Sequence, residues 1–395
     1  MKHKKLTITA ASLLAALTVK VQANFYDWQG GTSDDWSDNS NWQGGNGVGA
    51  ADTARIYNSD ISSDPTPNNT VLKTGNSASL TRVWVGHSND VNESGVLTVE
   101  SGATLTTSGD FVVENNSTLT SSGAISVGNG NGMIVRDSGN VTLNSGATLN
   151  KLTLSEDSTA TLNAGSSVTT IQNLANNAQL TMNNTYSSNL DMNNASSLTV
   201  NGTLNGRFGV ASTAMQYIGE TGTVNGDIEL NSSDQMTIAG DVNGRFSINQ
   251  TSQAIIEATA NILSNSNNSW IYNDAAITWN VGADGSIGTL RTNRGSGDFT
   301  ADWRYAGAED MVVDLTAYEA DGSSISLQLV SGIENESTFA SNVTFLRDGS
   351  DVTSDFSWDG AGTGSFSGVV VPEPSTYALL AGCFALASVM IRRRR

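Results

Sequence analysis

Three stretches decide the fold: Leu198-Thr-Val-Asn-Gly-Thr-Leu-Asn-Gly-Arg-Phe-Gly-Val210, Ile218-Gly-Glu-Thr-Gly-Thr-Val-Asn-Gly-Asp-Ile-Glu-Leu230 and Met236-Thr-Ile-Ala-Gly-Asp-Val-Asn-Gly-Arg-Phe-Ser-Ile248. They align without gaps at offsets of 20 and 18 residues, and each turns on an Asn-Gly pair. Beyond that pair Phe208 and Val210, Ile228 and Leu230, and Phe246 and Ile248 take the same two positions. Apolar residues at period two mark strands with one buried face, and Asn-Gly offers positive φ for a turn. A period near 20 with short strands in each unit predicts an all-β fold, a parallel β-solenoid or β-helix. The shared position of Arg207, Asp227 and Arg245 then predicts a ladder of alternating charge on consecutive coils.

The same grammar appears earlier. Ser-Gly-Ala-Thr-Leu occurs at 101–105 and again at 145–149, with Ser122-Gly-Ala-Ile125 between them. The solenoid repeats are expected over 95–297, where there is room for roughly 10 coils of about 20 residues. No proline occurs between Asn68 and Val371, as stacked hydrogen-bond ladders require. An antiparallel sandwich is the competing reading of alternating strands with Gly-rich turns; the gapless register favours stacked coils.

The repeats are flanked by segments of other character. Residues 24–94 hold a tryptophan-rich N-terminal cap and the first strands, with Trp28, Trp36 and Trp42 suited to cover the apolar end of a solenoid. Stacking of sugars on the same three rings is the functional alternative. Residues 298–358 lose the period and are expected to form a β-rich C-terminal module, followed by a Gly/Ser stalk over 359–371. The pattern Trp28-Gln-Gly-Gly, Trp36, Asn41-Trp42, Asp52-Thr-Ala-Arg-Ile56 resembles the opening segment of autotransporter-associated β-strand repeat proteins, a resemblance that implies only a passenger-like architecture.

Both ends carry targeting signals. Met1 to Ala23 has a basic start, an apolar run from Leu6 to Val19 and the small-residue site Val21-Gln-Ala23, which predicts a signal peptide over 1–23 cut between Ala23 and Asn24. At the other end stand Pro372, Glu373, Pro374 and Ser375, an uncharged stretch over 377–391, and Arg392, Arg393, Arg394 and Arg395. The stretch is expected to be one short hydrophobic transmembrane helix, stretched by snorkelling arginines that stay cytoplasmic. This order resembles the PEP-CTERM sorting signal, expected here over 372–395. The resemblance implies a Gram-negative-type bacterium, an exosortase as partner, and removal of the helix before delivery to the cell surface or beyond. It also implies the company of exopolysaccharide or biofilm systems. The alternative is a tail anchor that is never cut.

Composition narrows the chemistry. The chain has 395 residues, a net charge of −19, 40 glycines and a single cysteine, Cys383, which lies in the terminal apolar stretch. Residues 24–371 hold 11 basic and 37 acidic side chains, a net charge of −26, and such a surface repels nucleic acid. Past the signal segment the one histidine is His87, with no Gly-x-Ser-x-Gly elbow to accompany it, so neither a nucleophilic triad nor a zinc site is expected. Lys73 and Lys151 are isolated. Asp34-Asp35 with Asp38-Asn39, and Asp348 with Asp351, offer oxygen ligands for calcium without the spacing of an EF-hand or a nonapeptide repeat. No catalytic residues, metal site or cofactor are assigned. The expected role is structural or adhesive, at the cell surface or in the extracellular matrix, with extracellular polysaccharide as partner. The rival readings are a polysaccharide lyase or glycoside hydrolase on a β-helix scaffold, and a carbohydrate-binding surface protein.

Overall fold

A computed structural model describes residues 24–30, 32–57, 69–86, 94–231, 233–248 and 251–264, with the strand segments 270–272, 276–280, 289–292, 305–306, 310–314, 325–328, 343–347, 349–358 and 363–366. The fold is an all-β parallel β-solenoid. Two compact units divide it: residues 1–159 with 168–172, and residues 160–167 with 173–395.

Three parallel walls build the first unit. One starts with Phe25–Asp27 and adds Thr53–Ile56, Arg82–Val85, Phe111–Val113 and Met133–Val135. A second stacks Ser77–Leu80, Thr104–Thr107 and Ala124–Val127. The third stacks Thr70–Leu72, Val96–Val99, Thr118–Ser121 and Asn140–Leu143. Leu97, Leu119 and Val141 occupy one column and are buried, while Thr98, Thr120 and Thr142 beside them face outward. This is the period-two rule applied coil after coil: the core is a filament of aliphatic side chains lined up at strand spacing.

The second unit repeats the plan. Leu190–Asn194, Phe208–Ser212, Ile228–Leu230 and Phe246–Ile248 form one wall. Gln179–Met182, Ser197–Val200, Met215–Ile218, Gln235–Ile238 and Gln253–Ile256 form another. The short strands Thr185–Tyr186, Thr203–Leu204, Thr223–Val224 and Asp241–Val242 form the third. Phe208, Ile228 and Phe246 do share a column, as do Val210, Leu230 and Ile248.

The alignment is not gapless throughout. Val200 pairs with Ile218, and Ile218 with Ile238, whereas the ungapped reading places Leu198 opposite Ile218 and Met236. The corner 219–222 is two residues longer than the corner 201–202, so the strand before it slips by two. A two-residue slip keeps every side chain on its face, and the hydrophobic pattern cannot detect it.

The Asn-Gly corners also work differently from expectation. Gly206, Gly226 and Gly244 do not adopt positive φ. A Cβ on Gly226 would overlap the backbone carbonyl oxygen of Gly206, and one on Gly244 that of Gly226. The glycines are there for close approach of stacked backbones. The asparagines join the coils: Asn225 Nδ2 donates to Asn205 Oδ1 at 2.7 Å, and Asn243 Nδ2 to Asn225 Oδ1 at 2.8 Å. Positive φ is supplied elsewhere, by Gly102 and Gly146 in the Ser-Gly-Ala-Thr-Leu corners and by the pairs Asn115-Asn116, Asp137-Ser138 and Glu156-Asp157.

The expected boundaries change at both ends. In the first unit parallel pairing already begins at Phe25–Asp27, and in the second it extends past 297 through Asp310–Asp314 and Val343–Arg347. Long loops hide these coils in the sequence: Ala54 and Val83, or Ile277 and Met311, are register partners 29 and 34 residues apart. The expected C-terminal module therefore splits. Three of its strands, Tyr305–Ala306, Asp310–Asp314 and Val343–Arg347, join the parallel ladders, while Phe356–Trp358 pairs antiparallel with Thr363–Phe366, which also pairs with Ile325–Gln328. Thr363–Phe366 falls in the segment read as a stalk; its small residues look like linker in composition, yet the backbone pairs with two strands. Among the described residues no helix is long and apolar enough to cross a membrane, and 377–391 lie outside them.

Candidate functional site

Trp28, Trp36 and Trp42 come together at the start of the first unit. Trp42 packs edge-on against Trp28 at 5.0 Å and 79°, and against Trp36 at 4.9 Å and 70°. All three are buried, and the Trp42 indole donates to the Trp36 carbonyl at 2.9 Å. The loop is held by Asn41, fully buried, whose Oδ1 accepts from the Thr32 and Ser33 amides at 3.0 Å and whose Nδ2 donates to Ser33 Oγ at 2.9 Å. Trp36 then joins the neighbouring wall through its amide on the Val71 carbonyl. Crossed, covered rings offer a sugar no open face, so stacking of a glycan on these three tryptophans is closed by the packing.

The acidic loop beneath them has its oxygens engaged. Asp35 Oδ1 accepts from the Ser37 hydroxyl at 2.6 Å and amide at 2.9 Å, and Asp38 Oδ1 from the Ser40 hydroxyl at 2.6 Å and amide at 3.0 Å. These bonds to Ser37 and Ser40 hold both carboxyls below the usual aspartate range. Lys73 reaches Asp34 at 3.1 Å and Asp35 at 3.6 Å, and its ammonium is raised by the hydrogen bond to Asp34. Asp351 is lowered likewise by the side chain and amide of Thr353. Among the described residues no three His, Cys, Asp or Glu side chains converge to hold a metal ion. Asp348, His87, Cys383 and Ala23 lie outside the described residues, as do 372–395.

The charge ladder of the second unit takes another route than Arg207–Asp227–Arg245. Those residues do stand in equivalent positions, one before the paired column Phe208, Ile228 and Phe246. Arg207 binds Asp191 at 2.6 Å and Glu229 at 3.5 Å, while Arg245 binds Glu229 and reaches Asp227 at 3.5 Å. Glu229 thus links both arginines. Asp191, Gly209, Glu229 and Ser247 form the adjoining column. Gly209 leaves the space through which the Asp191–Arg207 pair passes, since a Cβ there would crowd the Asp191 carboxylate. Sequence alone could not show this, because it depends on which way long side chains lean.

In the first unit Glu114 is a buried carboxylate. Arg136, one coil on, donates to its Oε2 from Nε at 2.8 Å and Nη2 at 2.7 Å. Burial opposes the charge on Arg136, but the hydrogen bond and charge of Glu114 outweigh it and raise its pKa.

Residues 370–395 match the PEP-CTERM protein-sorting motif. The chain carries an exosortase sorting tail. The motif accordingly marks an exported protein processed by an exosortase. No curated protein and no solved structure matches the chain, so the resemblance of 24–58 to autotransporter-associated repeats gains no relative.

Proposed function

We propose that this is a structural, non-catalytic component of the cell surface or extracellular matrix, released from its tail by an exosortase and associated with extracellular polysaccharide. The observation that carries the reading is a sorting motif at 370–395 on a passenger that is a parallel β-solenoid. The signal peptide over 1–23 starts export, and the segment 377–391 holds the chain until it is cut near Pro372. Supporting the non-catalytic role, the outward carboxylates described above serve turns and ion pairs between coils. The sorting motif equally leaves room for a polysaccharide lyase or hydrolase, because a β-solenoid is a scaffold and fixes no chemistry.

The test is intact mass and cell fractionation in the native host, with and without its exosortase. Extracellular protein beginning at Asn24 and lacking 377–395, dependent on the exosortase, is the expected result. Full-length protein retained in the inner membrane of both strains would overturn it. Polysaccharide cleavage abolished by one carboxylate substitution would move the assignment to the enzyme.

A further inference from the structure

Packing closes the three cap tryptophans but opens another aromatic surface on the same unit. Asp27, Arg55 and Trp84 are direct register partners on three consecutive strands. Phe25 stands two residues before Asp27 and Tyr57 two residues after Arg55, so by strand alternation all five point to one face. That face is the outer one, because Ala54, Ile56, Val83 and Val85 of the intervening positions are buried. Phe25 is 50% exposed, the most exposed of the large apolar side chains among the described residues. Its ring lies 6.1 Å from that of Trp84 at an interplanar angle of only 34°, in contrast to the crossed rings of the cap.

Arg55 organises the platform. Its Nε and Nη2 hold the Asp27 carboxylate at 2.6 and 2.9 Å, and its guanidinium stands 5.0 Å from the Phe25 ring centre and 5.7 Å from that of Tyr57. Such a bidentate pair fixes a planar donor and acceptor set between aromatic faces. Two residues before Trp84, Arg82 pairs with Asp110 at 3.5 Å, so the surroundings are charge-balanced. The wider molecule is not: 24–371 carries −26. A polyanion would be repelled on approach, while an uncharged chain would not.

We infer that Phe25, Tyr57 and Trp84, oriented by the Arg55–Asp27 pair, form a binding platform for a neutral polysaccharide. The apolar C–H face of a hexose covers the exposed Phe25 ring beside the tilted Trp84 ring, and its hydroxyls meet the Arg55 and Asp27 edges. Apolar body and polar rim in one flat site are what a sugar ring presents and requires. The inference rests on the polysaccharide association proposed above and supplies its place and its charge class.

Affinity electrophoresis tests it. The exported protein is run through native gels containing hydroxyethylcellulose, dextran, alginate, or the neutral fraction of the host's own matrix polysaccharide. Phe25→Ala and Trp84→Ala variants run alongside, with circular dichroism to verify folding. Expected are retardation by at least one neutral polymer, none by alginate, and at least a tenfold loss of affinity in each folded variant. Phe25→Ala keeps the test decisive if Trp84→Ala does not fold, since Phe25 is half exposed on an edge strand. Retardation unchanged in Phe25→Ala would overturn the platform, as would binding confined to alginate or no binding to any neutral polymer. Cofractionation of the wild-type protein with host matrix is scored separately: if it persists in the variants, the association stands and the platform falls. If cofractionation is absent while the neutral gels retard only the wild type, the platform stands and the matrix assignment falls.

Discussion

Glu114 shows what a single residue contributes to a stack of coils. Its side chain is 1% exposed, and its charge is tolerated because Arg136 meets it with two donors from the next coil. Removing one partner of such a pair leaves an unpaired buried charge, which costs about 3–5 kcal/mol when both groups are buried. Arg136 is 39% exposed, so water screens part of the loss and Arg136→Met is expected to cost about 1–3 kcal/mol. Urea denaturation would show it as a lowered midpoint, and an unchanged midpoint would mean that Glu114 does not depend on Arg136 for its pairing. Asp35 and Asp38 act at the surface by a different mechanism. Their carboxyls are depressed chiefly by the Ser37 and Ser40 hydroxyls, so their contribution is full above the unfolded aspartate pKa of about 3.9 and is lost as pH falls through the folded value. Ser37→Ala should move the Asp35 titration upward in a carboxyl NMR experiment and leave Asp351, held by Thr353, where it is.

At the scale of the corner, glycine performs two tasks that the sequence writes with one letter. Gly146 needs its positive φ of 87°, whereas Gly226 needs only the absence of a Cβ beneath the next coil. Gly146→Ala should therefore cost roughly 1 kcal/mol of backbone strain. Gly226→Ala should cost more, about 1–3 kcal/mol, because the neighbouring carbonyl is backbone and the coils must part. Glu156 gives the converse case. It holds φ 56° with a full side chain, so Glu156→Gly should stabilise by about 0.5–1 kcal/mol in thermal denaturation, net of the entropy glycine adds to the unfolded chain. These corners also mark what the sequence could disclose. Inward alternation was legible from Phe208 and Val210 and their partners, since burial enforces it in every coil. The two-residue slip at 219–222 was not, because it changes no face. The left-handed pairs Asp137-Ser138 and Glu156-Asp157 carry no glycine, and their conformation comes from the coils on either side. The aromatic platform was missed for the same reason: Phe25, Arg55 and Trp84 are far apart in sequence and meet only through the register of three strands.

Across the whole molecule the balance of charge governs how these local gains combine. Only 11 cationic side chains face 37 carboxylates over 24–371. Among the described residues Arg55, Lys73, Arg82, Arg136, Arg207 and Arg245 each pair with a carboxylate well separated in sequence. The scarce positive charge thus serves to tie coils together, while the excess negative charge is left to repel itself. Salt weakens both effects. Exposed pairs contribute about 0–1 kcal/mol each, so weakening the five other than Arg136–Glu114 is a bounded cost. The repulsion among a surplus of 26 carboxylates has no partner term to limit it and extends over a Debye length of about 30 Å at 0.01 M salt. At 0.15 M that length falls to about 8 Å, and only neighbouring carboxylates still feel one another. Relief of repulsion should then outweigh the loss of pairing, and the melting temperature of the exported protein should rise by at least about 2 °C from 0.01 to 0.15 M sodium chloride. The Arg136→Met variant should show the same rise, because the pair it removes is shielded from salt by the burial of Glu114. A melting temperature that falls with salt would mean that the ties between coils, and not the surplus charge, set the stability of the stack.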